Sequence, residues 1–283
     1  ILWENLLVTH SPEWTLVHQY CSDIVIRNVT VFNPNNDTIE GPNTDGMDLF
    51  SCQRVHIHDV MVDVGDDMFA MDSGVDAAGR AMSIATADVV IEDSVVRNGH
   101  GLTLGSGASG GLRNITFRNI FMDGHGGPQA VSRRKGCPSK CPGIGGPHFK
   151  TGRGRGGHWQ DITWTNIYGS HASAAFGLFE NHGTGYNQSL GPTNASATPT
   201  ITNMLIENVV LTDVAGPSAI FSLAEAPIQN LTLRNISWKA GRSLAEAQTA
   251  GASQYTCTGW KGKRIVSGLF ATGSATDVTP PLS

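Results

Sequence analysis

Three short segments of this 283-residue sequence carry side chains able to move protons: Asn43-Thr44-Asp45-Gly46, Gly65-Asp66-Asp67 and Gly99-His100-Gly101. Each precedes a short apolar run ending near a serine, and Asp45, Asp67 and His100 stand six residues before Ser51, Ser73 and Ser106. Equal spacings predict three strands stacked in register, with these side chains in a column at the ~4.8 Å separation of neighbouring strands and Asp66 beside it. Carboxylates that close cannot all ionise freely. One is expected to rise in pKa while others stay ionised, the division that a general acid and a general base require. A single Asp-Gly reads equally well as a turn. Three carboxylates and a histidine in register, with no cation among them to offset their repulsion, read as a catalytic group.

Farther on, His148-Phe149-Lys150 supplies a cation able to hold a substrate carboxylate, and the small residues within Thr151-Gly152-Arg153-Gly154-Arg155-Gly156-Gly157 keep the surface beside it open. These residues belong to a strongly basic stretch. No acidic residue lies between Asp123 and Asp161, yet seven of the 19 Lys and Arg do: Arg133, Arg134, Lys135, Lys140, Lys150, Arg153 and Arg155, in a chain of net charge -5. Such a segment suits a polyanionic partner.

The elements that must position these groups are visible as a repeat. Eight octapeptides alternate apolar residues around a central Asn or Asp, beginning at Ile1, Ile24, Val55, Val89, Ile115, Ile162, Met204 and Leu231, 23 to 47 residues apart. Positions one, three, six and eight are mostly apolar, so each copy reads as two short strands with one inward face. The fifth position, held by Asn5, Asn28, Asp59, Asp93, Asn119, Asn166, Asn208 and Asn235, is the bend, where Asn and Asp best tolerate a left-handed backbone. Strand repeats of this period without a helical pattern predict an all-β fold, a right-handed parallel β-helix over residues 1–240, with 241–283 as a cap or irregular tail. Because the chain starts directly on a repeat strand, first coils capping the cylinder are expected upstream of Ile1.

Composition agrees. Charged residues are 15% against the usual ~25%, and 34 glycines suit many turns, which argues against coiled coils and helix bundles. Hydrophobic residues at 40% are enough for a core, no run approaches the ~20 apolar residues of a membrane span, and Ile1 to Glu13 lack the pattern of a signal peptide. The five cysteines allow two bridges, with Cys137 and Cys141 the nearest local pair. Of seven Asn-X-Ser/Thr sequons, Asn28 and Asn235 fall on the bend position, leaving Asn187 and Asn194 as the better glycan acceptors.

At NTDG (43–46), GDD (65–67) and GHG (99–101) the chain resembles the polygalacturonases, glycoside hydrolase family 28, and the resemblance extends from about Ile1 through Trp238. It departs at the family's Arg-Ile-Lys segment, which here reads His148-Phe149-Lys150. The resemblance implies a secreted, monomeric enzyme without a cofactor or metal, hydrolysing α-1,4-linked galacturonan with inversion. Asp66 would protonate the glycosidic oxygen, Asp45 and Asp67 would activate water, and His100 would set the protonation of the group. Asn43, His148, Lys150, Arg153 and Arg155 would bind substrate. Arg offers a fixed charged fork that His lacks, so either Arg153 or Arg155 replaces it or the subsite takes a less charged sugar. Tyr186 is the nearest candidate for a late substrate-side tyrosine.

Other readings are open at this level. Successive carboxylates also suit a Ca²⁺-dependent pectate-type lyase on the same fold, and a retained groove without catalysis suits a carbohydrate-binding β-helix. Inserts at 123–160 and 180–200 suit a groove blocked at one end and exo action. Gly105-Ser106-Gly107-Ala108-Ser109-Gly110 has the letters of a dinucleotide loop but no βαβ unit around it, and the Arg-Gly tract is too short for RNA. His56 and His58 lack a third metal ligand nearby. No nucleic-acid or membrane partner is expected.

Overall fold

The octapeptides become the strands of one long sheet. The computed structural model describes residues 1–33, 41–123, 131–132, 141–142, 145–170, 172, 174–180, 197–214, 218–223, 225–240 and 273–279. In chain order its elements are β1 (Leu2–Thr9), β2 (Leu16–Gln19), β3 (Ser22–Phe32), β4 (Met47–Phe50), β5 (Gln53–His58), β6 (Met61–Asp63), β7 (Phe69–Asp72), α1 (Asp76–Met82) and β8 (Thr86–Val96). Then come β9 (Leu102–Leu104), β10 (Leu112–Asp123), β11 (Val131–Ser132), β12 (Cys141–Pro142), β13 (Pro147–Lys150), β14 (His158–Ser170) and β15 (Gly177–Phe179). The last are β16 (Thr200–Val214), β17 (Ala219–Phe221), β18 (Gln229–Ala240) and β19 (Gly273–Thr279).

The long sheet is ordered β1-β3-β5-β8-β10-β14-β16-β18-β19, with β6 between β3 and β8, and the second runs β2-β4-β7-β9-β13-β15-β17. Apart from the short β11–β12 pair and a bridge between Leu223 and Ala226, the described pairings are parallel. Each coil therefore contributes one strand to each sheet, the arrangement of a parallel β-helix. The segment after residue 240 includes β19, which extends the long sheet alongside β18; residues 241–272 lie outside the described residues.

The repeat's inward positions stack coil upon coil. Ile26, Ile57, Ile91, Phe117, Trp164, Ile206 and Leu233 form one buried column, in which Phe117 and Trp164 stack with ring centroids 5.9 Å apart. All eight bend residues have a left-handed backbone, from φ +49° at Asn28 and Asp93 to +58° at Asn5. The octapeptide is nevertheless one continuous strand in most coils, because a single left-handed residue kinks the strand without ending its pairing. Only around Asp59 is it divided, into β5 and β6.

The bend residues also bond to one another. Amide nitrogens of Asn166, Asn208 and Asn235 donate to the side-chain oxygen of the bend residue one coil back, at 2.8–3.0 Å. A second left-handed column, unforeseen from sequence, lies five residues earlier at Asp23, Arg54, Asp88, Asn114, Asp161, Asn203 and Asn230. Four sequon asparagines, Asn28, Asn114, Asn230 and Asn235, thus sit on ladders with their amides engaged. The single described helix, α1, was likewise not anticipated; it is seven residues long and far short of a membrane span.

Candidate active site

The short sheet positions the acidic segments. Asp48 pairs in register with Ala70, Thr103 and His148, and Phe50 with Asp72. Extending the same register places Asp45 beside Asp67 and Asp67 beside His100, the column predicted from the equal spacings. Met47, Leu49, Phe69, Met71, Leu102, Leu104 and Phe149 enter the core. By alternation, Asp48, Asp72, Thr103, His148 and Lys150 project from the opposite face. That face is recessed, since all of these but Lys150 are buried.

The small residues of the motifs allow the coils to nest. A Cβ on Gly65 would lie 2.1 Å from the Gly41 carbonyl oxygen, and one on Gly46 2.4 Å from that of Met68. Thr44 Oγ1 donates to Gly41 O at 2.6 Å and accepts from Gly65 N at 2.9 Å, locking the turn that carries Asp45 against the turn that carries Asp66. Gly99, at φ +140°, lets the next residue approach: His100 N donates to Asp66 O at 2.8 Å.

Consecutive carboxyls receive different partners. Asp66 Oδ1 lies 2.7 Å from His100 Nδ1 and accepts from Asp67 N at 3.0 Å. Asp67 Oδ2 accepts from Lys150 Nζ at 2.6 Å, and Asp67 Oδ1 from Thr103 Oγ1 at 3.1 Å. Lys150 comes from 83 residues away and supplies the cation that the local sequence around the acids lacks. Thr103 Oγ1 also lies 3.4 Å from His148 Nδ1, and His148 packs edge-on against Phe179 with centroids 5.8 Å apart.

The electrostatics differ from the expectation in their cause. Burial, more than mutual repulsion, raises these carboxyls. It pushes Asp45 far up, with Asp67 and Asp66 adding to the effect. Asp67 is also raised by burial, but the Lys150 ammonium opposes the rise. Burial would depress Lys150, yet Asp67 and Asp66 outweigh it and hold the ammonium firmly charged. Burial thus favours the proton on Asp45, next to a carboxyl that Lys150 draws toward ionisation.

Two acids in this recess were not singled out from sequence. Asp48 is buried with no hydrogen-bond partner on either oxygen among the described residues, and burial with Asp72 nearby raises its pKa; burial pushes Asp72 itself up to about 6. The available signal was position, each being an acid at an alternate place in an apolar strand, as in Met47-Asp48-Leu49. Thr103 was missed for the same reason.

The arginines expected at the substrate are tied to acids. Arg153 forks onto Glu225, its Nε donating to Oε1 and its Nη2 to Oε2 at 3.0 Å, and Arg155 Nη1 donates to Asp76 Oδ1 at 2.7 Å on the first turn of α1. Arg80 of the same helix donates to the Gly154 and Arg155 carbonyls, so α1 braces the Arg-Gly loop. Asn43 is exposed with a left-handed backbone, φ +55°. Arg133, Arg134, Lys135, Lys140 and Tyr186 lie outside the described residues, as do the side chains of Cys137 and Cys141. Asp66, Asp67 and His100 each offer a ligand atom within 4.8 Å of the others, a spacing a cation can use, with Lys150 already on Asp67.

The resemblance read from the motifs is borne out by comparison with known proteins. Residues 3–131 match the family model described as glycosyl hydrolases family 28. A probable polygalacturonase of Vitis vinifera is 26% identical over 274 residues, covering 96% of this chain and 49% of that protein. A polygalacturonase of Chamaecyparis obtusa is 30% identical over 210 residues, covering 61% of this chain and 35% of that one. The chain spans about half, or less, of the length of the curated relatives it matches. Among solved structures, the exopolygalacturonase of Thermotoga maritima superposes with a TM-score of 0.69 at 23% identity, covering 84% of this chain and 48% of that one. The shared fold is the right-handed parallel β-helix expected from the repeat.

Proposed function

We propose that this chain, which carries the glycosyl hydrolase family 28 pattern over residues 3–131, hydrolyses α-1,4-galacturonosidic bonds of polygalacturonan with inversion. The observation that carries the reading is the unequal pairing of two consecutive carboxyls, Asp66 with an imidazole and Asp67 with an ammonium, on one recessed face. An inverting glycosidase needs one protonated carboxyl at the leaving oxygen and one ionised carboxylate at the attacking water. Asp66, gripped by His100, is assigned the acid. Asp67, held by Lys150 and Thr103, is assigned the base that takes the proton of water as its oxygen attacks the anomeric carbon. Asp45, whose proton burial favours, orients that water from the neighbouring coil.

Lys150 also offers its positive charge to a substrate uronate, with Asn43, His148, Arg153 and Arg155 as the further proposed substrate contacts. The enzyme is proposed to act outside the cell as a monomer on wall pectin. The similarity to polygalacturonases of Vitis vinifera and Chamaecyparis obtusa supports this substrate class.

Product analysis on polygalacturonate tests the reading. Hydrolysis releases reducing ends with no ultraviolet-absorbing unsaturated uronide and is insensitive to EDTA. Unsaturated products, or activity abolished by EDTA, would replace it with a lyase; no products at all from well-folded protein would replace it with a binding role. Release of single sugars in place of oligomers marks exo action.

A further inference from the structure

Outside the acidic recess, the described residues hold two thiols that the proposed chemistry does not use, Cys21 and Cys52. They occupy the same place in consecutive coils. Cys21 lies in the corner between β2 and β3, Cys52 in the corner between β4 and β5, and each follows a left-handed residue, Tyr20 at φ +53° and Ser51 at φ +54°. The flanking register is unbroken: Gln19 pairs with Phe50 and Ser22 with Gln53, and Gln53 N donates to Cys21 O at 3.0 Å. Cys21 and Cys52 therefore face each other across one strand spacing, ~4.8 Å, which falls inside the ~4.4–6.8 Å Cα window of a disulfide.

Both thiols bond to the backbone of β2. Cys21 Sγ donates to the Gln19 carbonyl at 3.3 Å, while Cys52 Sγ reaches back one coil to the adjacent His18 carbonyl, also at 3.3 Å. The two thiols lie within interaction reach of each other, since the Cys21 side chain is among the groups that help raise the Cys52 thiol, behind its burial. Their exposures differ usefully, because Cys52 is fully buried and Cys21 is partly open to solvent.

We propose that Cys21 and Cys52 form a redox-active disulfide site that staples the first coil to the coil carrying Asp45 and Asp48. A small disulfide such as oxidised glutathione is the oxidant. The Cys21 thiol loses its proton and attacks it, forming a mixed disulfide and releasing one glutathione thiol. Cys52 then loses its proton, attacks the Cys21 sulfur and displaces the second glutathione, which takes up a proton. Two thiols lose two hydrogens in all, and one oxidised glutathione becomes two reduced ones. Cys21 and Cys52 are 31 residues apart in the sequence, a loop length over which disulfides usually stabilise.

The test uses the full chain equilibrated with oxidised glutathione, alkylated, digested without reduction and mapped by mass spectrometry. The expected result is a peptide joining Cys21 to Cys52 that disappears on treatment with dithiothreitol, with a melting temperature lower by roughly 5 °C after reduction. Alkylation of both residues in the oxidised sample, or their linkage to Cys137, Cys141 or Cys257 instead, would overturn the proposal. In Cys52→Ala, Cys21 is expected to retain a bound glutathione that wild-type protein does not; no adduct in a folded variant counts against the exchange route. If that variant does not fold, the wild-type map decides alone.

Discussion

Replacing Lys150 by Met removes the ammonium 2.6 Å from Asp67 Oδ2 while keeping an unbranched chain. Both members of the pair are nearly out of water, with side chains 13% and 3% exposed, so solvent screens little of the interaction. At that separation, two unit charges in an effective dielectric of about 20 attract by about 6 kcal/mol. Removing one partner of a buried pair costs about 3–5 kcal/mol in practice. Asp67 avoids being a bare buried charge by keeping its proton, and at about 1.4 kcal/mol per pKa unit its pKa rises by roughly 2–4 units. A base must be ionised to act, so activity grows as pH rises through its pKa, and a higher pKa moves that limb upward. The assay is kcat for reducing-end release from polygalacturonate over about pH 3 to 9, where the acid limb of Lys150→Met should lie at least ~2 units above that of wild type. On the wild-type limb, kcat should fall roughly 100-fold or more. If Lys150 served only to hold a substrate carboxylate, KM would rise and the limb would stay in place. An unmoved limb refutes the pairing of Lys150 with the base.

Glu180 is fully buried, accepts from Ser222 Oγ and Leu223 N at 2.7 Å, and is pushed up by burial to about 8. The folded chain thus keeps a proton that the unfolded chain releases, so this contribution to stability is complete below about pH 4.5 and is lost as pH rises toward 8. Glu180→Gln should flatten that fall by a few kcal/mol, roughly, in urea unfolding series at several pH values; an unchanged slope would show that Glu180 is not its source. Asn166 bonds Asn119 and Asn208 in the bend ladder and is left-handed at φ +56°. Asn166→Ala should lose about 2–4 kcal/mol from backbone strain and broken bonds, and Asn166→Gly about half as much, read from denaturant midpoints; equal losses would remove backbone strain as a cause.

The column of Asp45, Asp67 and His100 was legible because strand register turns equal spacing into adjacency. The bend residues were legible because Asn and Asp are the side chains that tolerate a left-handed backbone. The second ladder escaped because Arg54 occupies one of its places and its other members stand just outside the apolar octapeptide. The cause of the carboxyl shifts also escaped, since burial of Asp45 and Asp67 depends on coils that pack around them and cannot be read from their spacing. Arg153 and Arg155 looked available because their own surroundings lack acids. Their partners, Glu225 and Asp76, lie 72 and 79 residues away and are brought in only by the winding of the chain. The acids lack a counter-charge within their own segments, and β13, two coils beyond β7, provides it in Lys150.

In the proposed reaction, Asp66 delivers the proton that releases the leaving sugar. Asp66→Asn keeps the shape and an oxygen to face His100 but has no carboxyl proton to give. Reducing-end release from polygalacturonate by the folded variant should fall by roughly 10³-fold or more, with substrate binding retained. Turnover near the wild-type rate in Asp66→Asn would show that Asp66 is not the proton donor.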